Sequence, residues 1–280
     1  MPDLQEDTWM HYSRQILGTK AVYLQLSNYG REGMISKSQI SFIKSLHQKK
    51  FRKEHRLFIV EGLKSLSEFI NSKFEIDSIY HIADVMPKLG KLSQNIKLHL
   101  ISPDELSKIS SLSAPQQLLA TIKIPNPEEL KIELLEGNFV MALDGIQDPG
   151  NFGTIIRTAD WFGINYIICS EDTVEAYNPK VVQASMGSLA RVNIIYTDLK
   201  DLFAKTEFPV YGALLNGQSI YKTTFEQEGI LLLGNEGKGI SADLMKMTTF
   251  PVTIPRFGSA ESLNVAISAS IFCSEIRRKC

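Results

Sequence analysis

The chain has 280 residues, 44% hydrophobic and 22% charged, with a formal net charge of −1. That length supports two domains with separate cores, and the near-neutral balance means that any nucleic acid must be met by a local basic patch. Cys169, Cys273 and Cys280 stand far apart, in no CxxC or other zinc-like spacing, so neither a disulfide framework nor a zinc site is expected and a reducing cytoplasm fits.

Residues 1–33 are mixed in character and read as a poorly defined extension, with Met34 a candidate natural start; a real N-terminal helix is the alternative. The segment lacks a basic stretch followed by an apolar core, and no apolar run approaches a membrane span. From Ile35 onward, Ile40, Ile43 and Leu46 form an apolar stripe at helical spacing, followed by KKFRKEHR. Between Lys37 and Arg56 there are seven Lys or Arg and one Glu. Such a run is either a solvated helix face or an arm that meets phosphates through Lys49, Lys50, Arg52, Lys53 and Arg56. Phe42, Phe51 and Phe58, interleaved with it, read as core.

Strands and helices then alternate: LFIVEG, LKSLSEFINS, IDSIYHIA, a further helix, KLHLIS, PDELSKISSL with a Ser102 cap and an N1 proline, and LLATIKI. This predicts a small α/β domain over 34–124. The proline-bearing, charged IPNPEELKIELLEG predicts a linker over 125–137. From there to residue 280 the strands are nearly all apolar: FVMALD, YIICS, VNIIY, VYGALL, GILLLG and FPVTIP, with helical segments between them. A parallel sheet covered on both faces reads this way, and its ligands sit at the carboxyl ends of its strands.

Three of those strand ends lead into unusual loops: LDGIQDPGNFGTIIRTADWFG, LLLGNEGKGIS and IPRFGSAESLNVAISASI. Glycines and small polar residues between a strand and a helix leave backbone N–H groups free for a ligand. The second loop is not a Walker A, because Gly239 follows its lysine, and no GxGxxG follows any strand. His11, His47, His55, His81 and His99 all precede this domain, which excludes a Ser-His-Asp triad within it. Asp144, Asp148 and Asp160 are candidate magnesium ligands, but Asp144 and Asp148 flank a turn with Pro149, where aspartate commonly serves turn and cap geometry, and no metal is expected. The remaining polar candidates are Asn151, Arg157, Glu236, Ser262 and Asn264. All but Asn264 have a plain structural alternative: a cap for Asn151 and Ser262, a surface or interdomain salt bridge for Arg157, and a turn for Glu236, which could also orient a neighbouring Asn.

In this order, the three loops resemble the signature motifs of the SpoU (TrmH-type) family of RNA ribose 2'-O-methyltransferases, in the knotted SPOUT class. The first motif is matched by Asn151, Gly153, Arg157, Thr158, Ala159, Phe162 and Gly163, and the second by LLLGNEGKG. The third is matched by Ile254, Pro255, Gly258, Ser262, Leu263, Asn264 and Val265. The first domain, through FIVEG and SAPQQLLATIK, is similar to the ribosomal-protein-like substrate-binding module that precedes the catalytic domain in many members. The resemblance implies an α/β fold whose C-terminal parallel-sheet domain, 138–280, contains a deep trefoil knot. It implies S-adenosylmethionine held by Leu214, Asn216, Gly234, Gly237, Ile254, Leu263 and Asn264, a homodimer, and RNA as substrate, with ribosomal RNA foremost. Asn151, Arg157, Glu236, Ser262 and Asn264 become the expected catalytic set. A guanidinium is a poor proton acceptor, so Arg157 is expected to bind a phosphate and stabilise the developing alkoxide while water takes the proton. The chain departs from the common pattern at Asn235 and at the Arg256-Phe257 pair, which puts target identity in doubt. Two other readings stay open: an RNA-binding assembly module with a vestigial site, and a transfer-RNA-directed SPOUT relative.

Overall fold

A computed structural model describes residues 35–82, 85–127 and 130–278, so the expected extension and Met34 lie outside the described residues. Helix α1 (Lys37–Ser45) starts at Ser36, whose hydroxyl accepts from Gln39 N while the Gln39 side chain accepts from Ser36 N. The basic run is a helix of its own, α2 (Lys49–His55), stopped by Arg56 in the left-handed region at φ 53°. Then follow β1 (Leu57–Glu61), α3 (Leu63–Ile70), β2 (Ile76–His81), β3 (Lys97–Leu100), α4 (Pro103–Ile109) and β4 (Leu118–Lys123). The Ser102 cap and N1 proline of α4 are as the sequence predicts, reinforced by Glu105, whose carboxylate accepts from Ser102 N. The helix expected between β2 and β3 is, among the described residues, a single 3-10 turn at Met86–Lys88, and Gly90 just beyond it sits in the left-handed region at φ 72°, which helical backbone does not adopt. These strands form one sheet in the order β1-β4-β2-β3, parallel only between β2 and β3.

The second unit comprises β5 (Phe139–Asp144), α5 (Pro149–Trp161), β6 (Tyr166–Cys169), α6 (Pro179–Ser185), β7 (Asn193–Tyr196), α7 (Leu199–Lys205) and β8 (Val210–Ser219). It ends with β9 (Gly229–Gly234), α8 (Ala242–Lys246), β10 (Phe250–Thr253) and α9 (Val265–Arg278). All six strands pair in parallel, in the order β10-β8-β9-β5-β6-β7. The central strands β5 and β9 are buried along their length, which is why FVMALD and GILLLG contain no alternation. Their register sets Asp144 beside Gly234, so the loops that leave these two strands start side by side.

Beyond that point the sheet opens. Strand β8 pairs with β9 only over Val210–Gly212. On its other side β10 is matched at Pro251 to Gly212 and next at Val252 to Gln218, so the five residues 213–217 leave the ladder. Gly217 lets the chain return: a Cβ there would lie 2.5 Å from the Pro251 carbonyl oxygen. The apolar core runs on between the two units, with Phe58 and Phe69 of the first in one cluster with Phe152 and Ile155 of the second. At the junction the Phe58 and Tyr177 rings are 4.8 Å apart. Among the described residues no helix is long and apolar enough to cross a membrane.

Candidate active site

Helix α5 is capped by Asp148, whose carboxylate accepts from Asn151 N at 2.8 Å, with Pro149 in the first helical position. Asn151 is therefore not the cap, and its amide is free to reach outward from the first turn. The helix is pressed onto α6 at Gly153, where a Cβ would lie 2.5 Å from the Ala184 Cβ.

The turn after β9 is closed by paired backbone bonds, Asn235 N to Gly239 O at 3.0 Å and Gly239 N to Asn235 O at 2.9 Å. The Asn235 side chain accepts from Gly237 N and Lys238 N and donates to Gly145 O at 2.6 Å, which ties this turn to the end of β5. So held, the Glu236 carboxylate accepts from the Asn151 amide at 3.0 Å, Asp148 N at 3.2 Å and Gln147 N at 3.3 Å. A carboxylate only accepts, so the Asn151 nitrogen must face it and the Asn151 oxygen must face away. That oxygen accepts from the Asn264 amide at 2.9 Å. The Asn264 oxygen in turn accepts from Ala266 N at 2.9 Å and Ile267 N at 3.3 Å, capping α9. One directed chain of hydrogen bonds thus joins all three loops.

Burial raises the pKa of the Glu236 carboxyl, but the hydrogen bonds from Asn151 and from backbone N–H groups outweigh it and hold the group below its ordinary value. Glu236 is thereby an anion that organises its neighbours. Asp144 is also occupied, accepting from Ser241 N at 2.7 Å. Among the described residues no cluster of three or more His, Cys, Asp or Glu is placed to hold a metal ion.

The other expected residues sit as follows. Ser262 is exposed just ahead of α9, and the cap suggested for it is made by Asn264 instead. Arg157 is exposed and forms no ion pair among the described residues; the nearby Asp160 is taken by Arg191 at 2.7 Å. Six residues beyond Asn151, Arg157 lies about 9 Å further along α5 and roughly 120° around it, outside the hydrogen-bond chain. Gly234 ends β9 and Gly237 is in the turn, while Leu214 and Asn216 belong to the segment that leaves the ladder. Ile254 follows β10, partly buried against the larger core, and Leu263 is half exposed. Five of the seven expected cofactor residues thus lie on or just after β8, β9 and β10, and Leu263 and Asn264 lie just ahead of α9.

On α2, Lys49, Lys50 and Lys53 are exposed. Arg52 requires a correction. Expected among the phosphate contacts, it is 2% exposed, forks onto Glu175 and donates to Leu46 O at 2.9 Å, so it cannot meet an RNA backbone. Arg56 remains exposed while its guanidinium donates to the carbonyls of Ile124 and Pro125. Phe58 is core as expected, whereas Phe51 is only partly buried and stacks on His55. The sequence reading missed Gln147 and the tying role of Asn235. Its signal was an amide between glycine-rich turns, where such side chains bond to nearby backbone.

Residues 138–274 match the SpoU rRNA Methylase family, and residues 37–120 match the MRM3-like substrate binding domain. The chain is 31% identical over 238 residues to the 23S rRNA (guanosine(2553)-2'-O)-methyltransferase RlmP of Bacillus subtilis, covering 84% of this chain and 94% of that protein. Among solved structures, a putative RNA methyltransferase of the TrmH family from Porphyromonas gingivalis superposes with a TM-score of 0.81 at 38% identity, covering 89% of this chain and 100% of the other. An AdoMet-bound rRNA methyltransferase from Sinorhizobium meliloti superposes at 0.76 with 28% identity, over 87% and 95% of the two chains. With its sheet order, its three joined loops and this similarity along nearly the whole described length, the chain belongs to the SpoU rRNA methylase family.

Proposed function

We propose that this protein transfers a methyl group from S-adenosylmethionine to a ribose 2'-hydroxyl of ribosomal RNA. The observation that carries the reading is the chain Glu236–Asn151–Asn264, which draws the three loops together beside the opening between β8 and β9. The residues there suit this cofactor: partly buried apolar walls at Leu214 and Ile254, glycine backbone at Gly234 and Gly237, and no polyphosphate cradle. When bound, the cofactor supplies a methyl group that is already electrophilic. The protein's task is then to hold the hydroxyl in line and to assist loss of its proton. The Asn151 oxygen keeps a second lone pair after accepting from Asn264, and it uses this to orient the 2'-hydroxyl. Arg157, permanently cationic and unpaired by any acid among the described residues, binds the adjacent phosphate and stabilises the developing alkoxide while water takes the proton. Ser262 lines the same approach.

In this reading residues 34–124 bind the RNA, 125–137 link, and 138–280 carry out the transfer in the cytoplasm as a homodimer. The exposed apolar side chains Trp161 on α5 and Ile267 on α9 are open to such a partner copy. The knotted path belongs to the same proposal, supported by the similarity to the SpoU family model and to a TrmH-family structure. Unmodified ribosomal RNA incubated with the protein and cofactor, followed by mapping of 2'-O-methyl positions, is the test. Methylation at a defined nucleotide is expected. Cofactor binding without methylation would favour the assembly-module reading, modification of transfer RNA alone would redirect the substrate, and absence of cofactor binding would overturn the proposal.

A further inference from the structure

Arg52 is the one basic residue of α2 turned inward. Its Nη2 lies 2.6 Å from Glu175 Oε2, its Nε lies 3.4 Å from Oε1, and its Nη1 holds the Leu46 carbonyl, so the whole guanidinium fork is used. Lysine has no such fork. Glu175 lies beyond the carboxyl end of β6, on the edge of the sheet that carries the joined loops. One residue before it, Val174 N donates to Ile146 O at 2.8 Å, and Gln147, next in the chain, donates its N–H to Glu236. A short covalent and hydrogen-bonded route therefore connects Arg52 to Glu236 and Asn151. Lys49, Lys50 and Lys53 point away from Arg52 by about 60°, 160° and 100° around the helix, toward solvent.

A second anchor also holds the units together. Arg191 bridges Glu68 on α3 and Asp160 on α5. With the Phe58–Tyr177 ring contact, the first unit meets the second at several points, and the linker alone does not set its position. A buried ion pair adds little net stability over well-packed apolar groups, because desolvation offsets the attraction. Its distinguishing property here is direction: a two-pronged bond fixes both the distance and the angle of α2.

We infer that the Arg52–Glu175 pair is a positioning device that sets the register between the basic helix α2 and the methyl-transfer site, so that one RNA engages both. This rests on the reading that the three joined loops form that site.

Glu175→Gln keeps the shape and removes the charge; Arg52→Lys keeps the charge and removes the fork. Both are assayed with 23S-type ribosomal RNA transcribed in vitro, alongside cofactor affinity by calorimetry and melting temperature. Misplacing one of two linked contacts is expected to raise KM for RNA about tenfold in each variant, with kcat within about twofold and cofactor affinity unchanged. A variant that was merely less stable would lose kcat in step with its folded fraction and keep its KM, and that result would overturn the inference. Hydroxyl-radical footprinting needs no methyl transfer: the wild type is expected to protect two patches in fixed register, and Glu175→Gln to lose that register. An unchanged footprint in Glu175→Gln overturns the inference. A register lost in the variant, with no methylation by the wild type, upholds the inference as to RNA placement and overturns the catalytic reading instead.

Discussion

Asn151 donates its amide N–H to the Glu236 carboxylate across 3.0 Å, joining the first turn of α5 to a turn 85 residues away. Because a carboxylate cannot donate, this one contact also fixes which way the Asn151 oxygen points, and with it the orientation of Asn264.

Replacing Asn151 tests that dependence. Asn151→Ala removes both bonds, and Asn151→Asp sets two carboxylates against each other. A hydrogen bond to a charged group contributes about 1.5–3 kcal/mol, so a site that needs it loses about 10- to 150-fold in single-turnover rate. Asp is expected to be the worse of the two at neutral pH, since like charges at this distance repel. A rate for Asn151→Asp equal to that of the wild type would show that the amide's orientation is irrelevant.

Two glycines of one turn should respond in opposite ways. A Cβ on Gly234 would lie 2.2 Å from the Gly239 carbonyl carbon and from Ile240 N, both backbone, with no flexible neighbour to yield. A Cβ on Gly237 would meet nothing closer than the Asn235 side-chain oxygen at 3.7 Å, an ordinary contact. Gly234→Ala is therefore expected to cost about 1–3 kcal/mol or more in denaturant unfolding, and Gly237→Ala within about 0.5 kcal/mol. Equal stability of the two variants would contradict the close approach.

Strand identities were legible because buried parallel strands are apolar throughout, as FVMALD and GILLLG are. Their neighbours were not: nothing local in either strand says that Asp144 ends beside Gly234, because pairing depends on contacts some ninety residues apart in the chain. The cap of α5 was readable in hindsight, since Pro149 favours the first helical position and makes Asp148 the cap. Arg52 was opaque. In a run of seven cations nothing marks the one turned inward, and its partner Glu175 lies 123 residues away. The joined loops were foreseen as a group through their motifs, but the order in which their side chains hand hydrogen bonds to one another needed three dimensions.

Arg157 separates stability from chemistry. It is exposed and forms no ion pair among the described residues, so Arg157→Ala is expected to change unfolding free energy by no more than about 0.5 kcal/mol. If it stabilises the developing alkoxide, the same variant loses about 10²–10³ in kcat with cofactor affinity intact. Arg157→Lys keeps the charge but loses the planar fork, and its rate is expected to fall between the two. Near-normal turnover by Arg157→Ala would remove it from the mechanism.

The pH dependence of cofactor affinity follows from Glu236. Its carboxyl is held below its ordinary value in the folded protein, so the ionised form is the one that the Asn151 amide and the N–H groups of Gln147 and Asp148 favour. For a group whose folded pKa is depressed, the stabilisation is fully present above the unfolded value, about 4.3, and is lost as pH falls through the lower folded one. Docking of the three loops, and the cofactor affinity that depends on it, should therefore be flat from pH 6 to 8 as far as Glu236 is concerned and fall only in acid. Glu236→Gln should behave differently. Its amide nitrogen cannot accept, so at least one of the three donors is left unmatched at every pH, and affinity is lowered without an acid limb from this group. Calorimetric titrations of both proteins from pH 8 down through the carboxylate range, to about pH 3.5, provide the check. An acid limb that persists unchanged in Glu236→Gln would assign the titration to another group and remove Glu236 from the loop-docking argument.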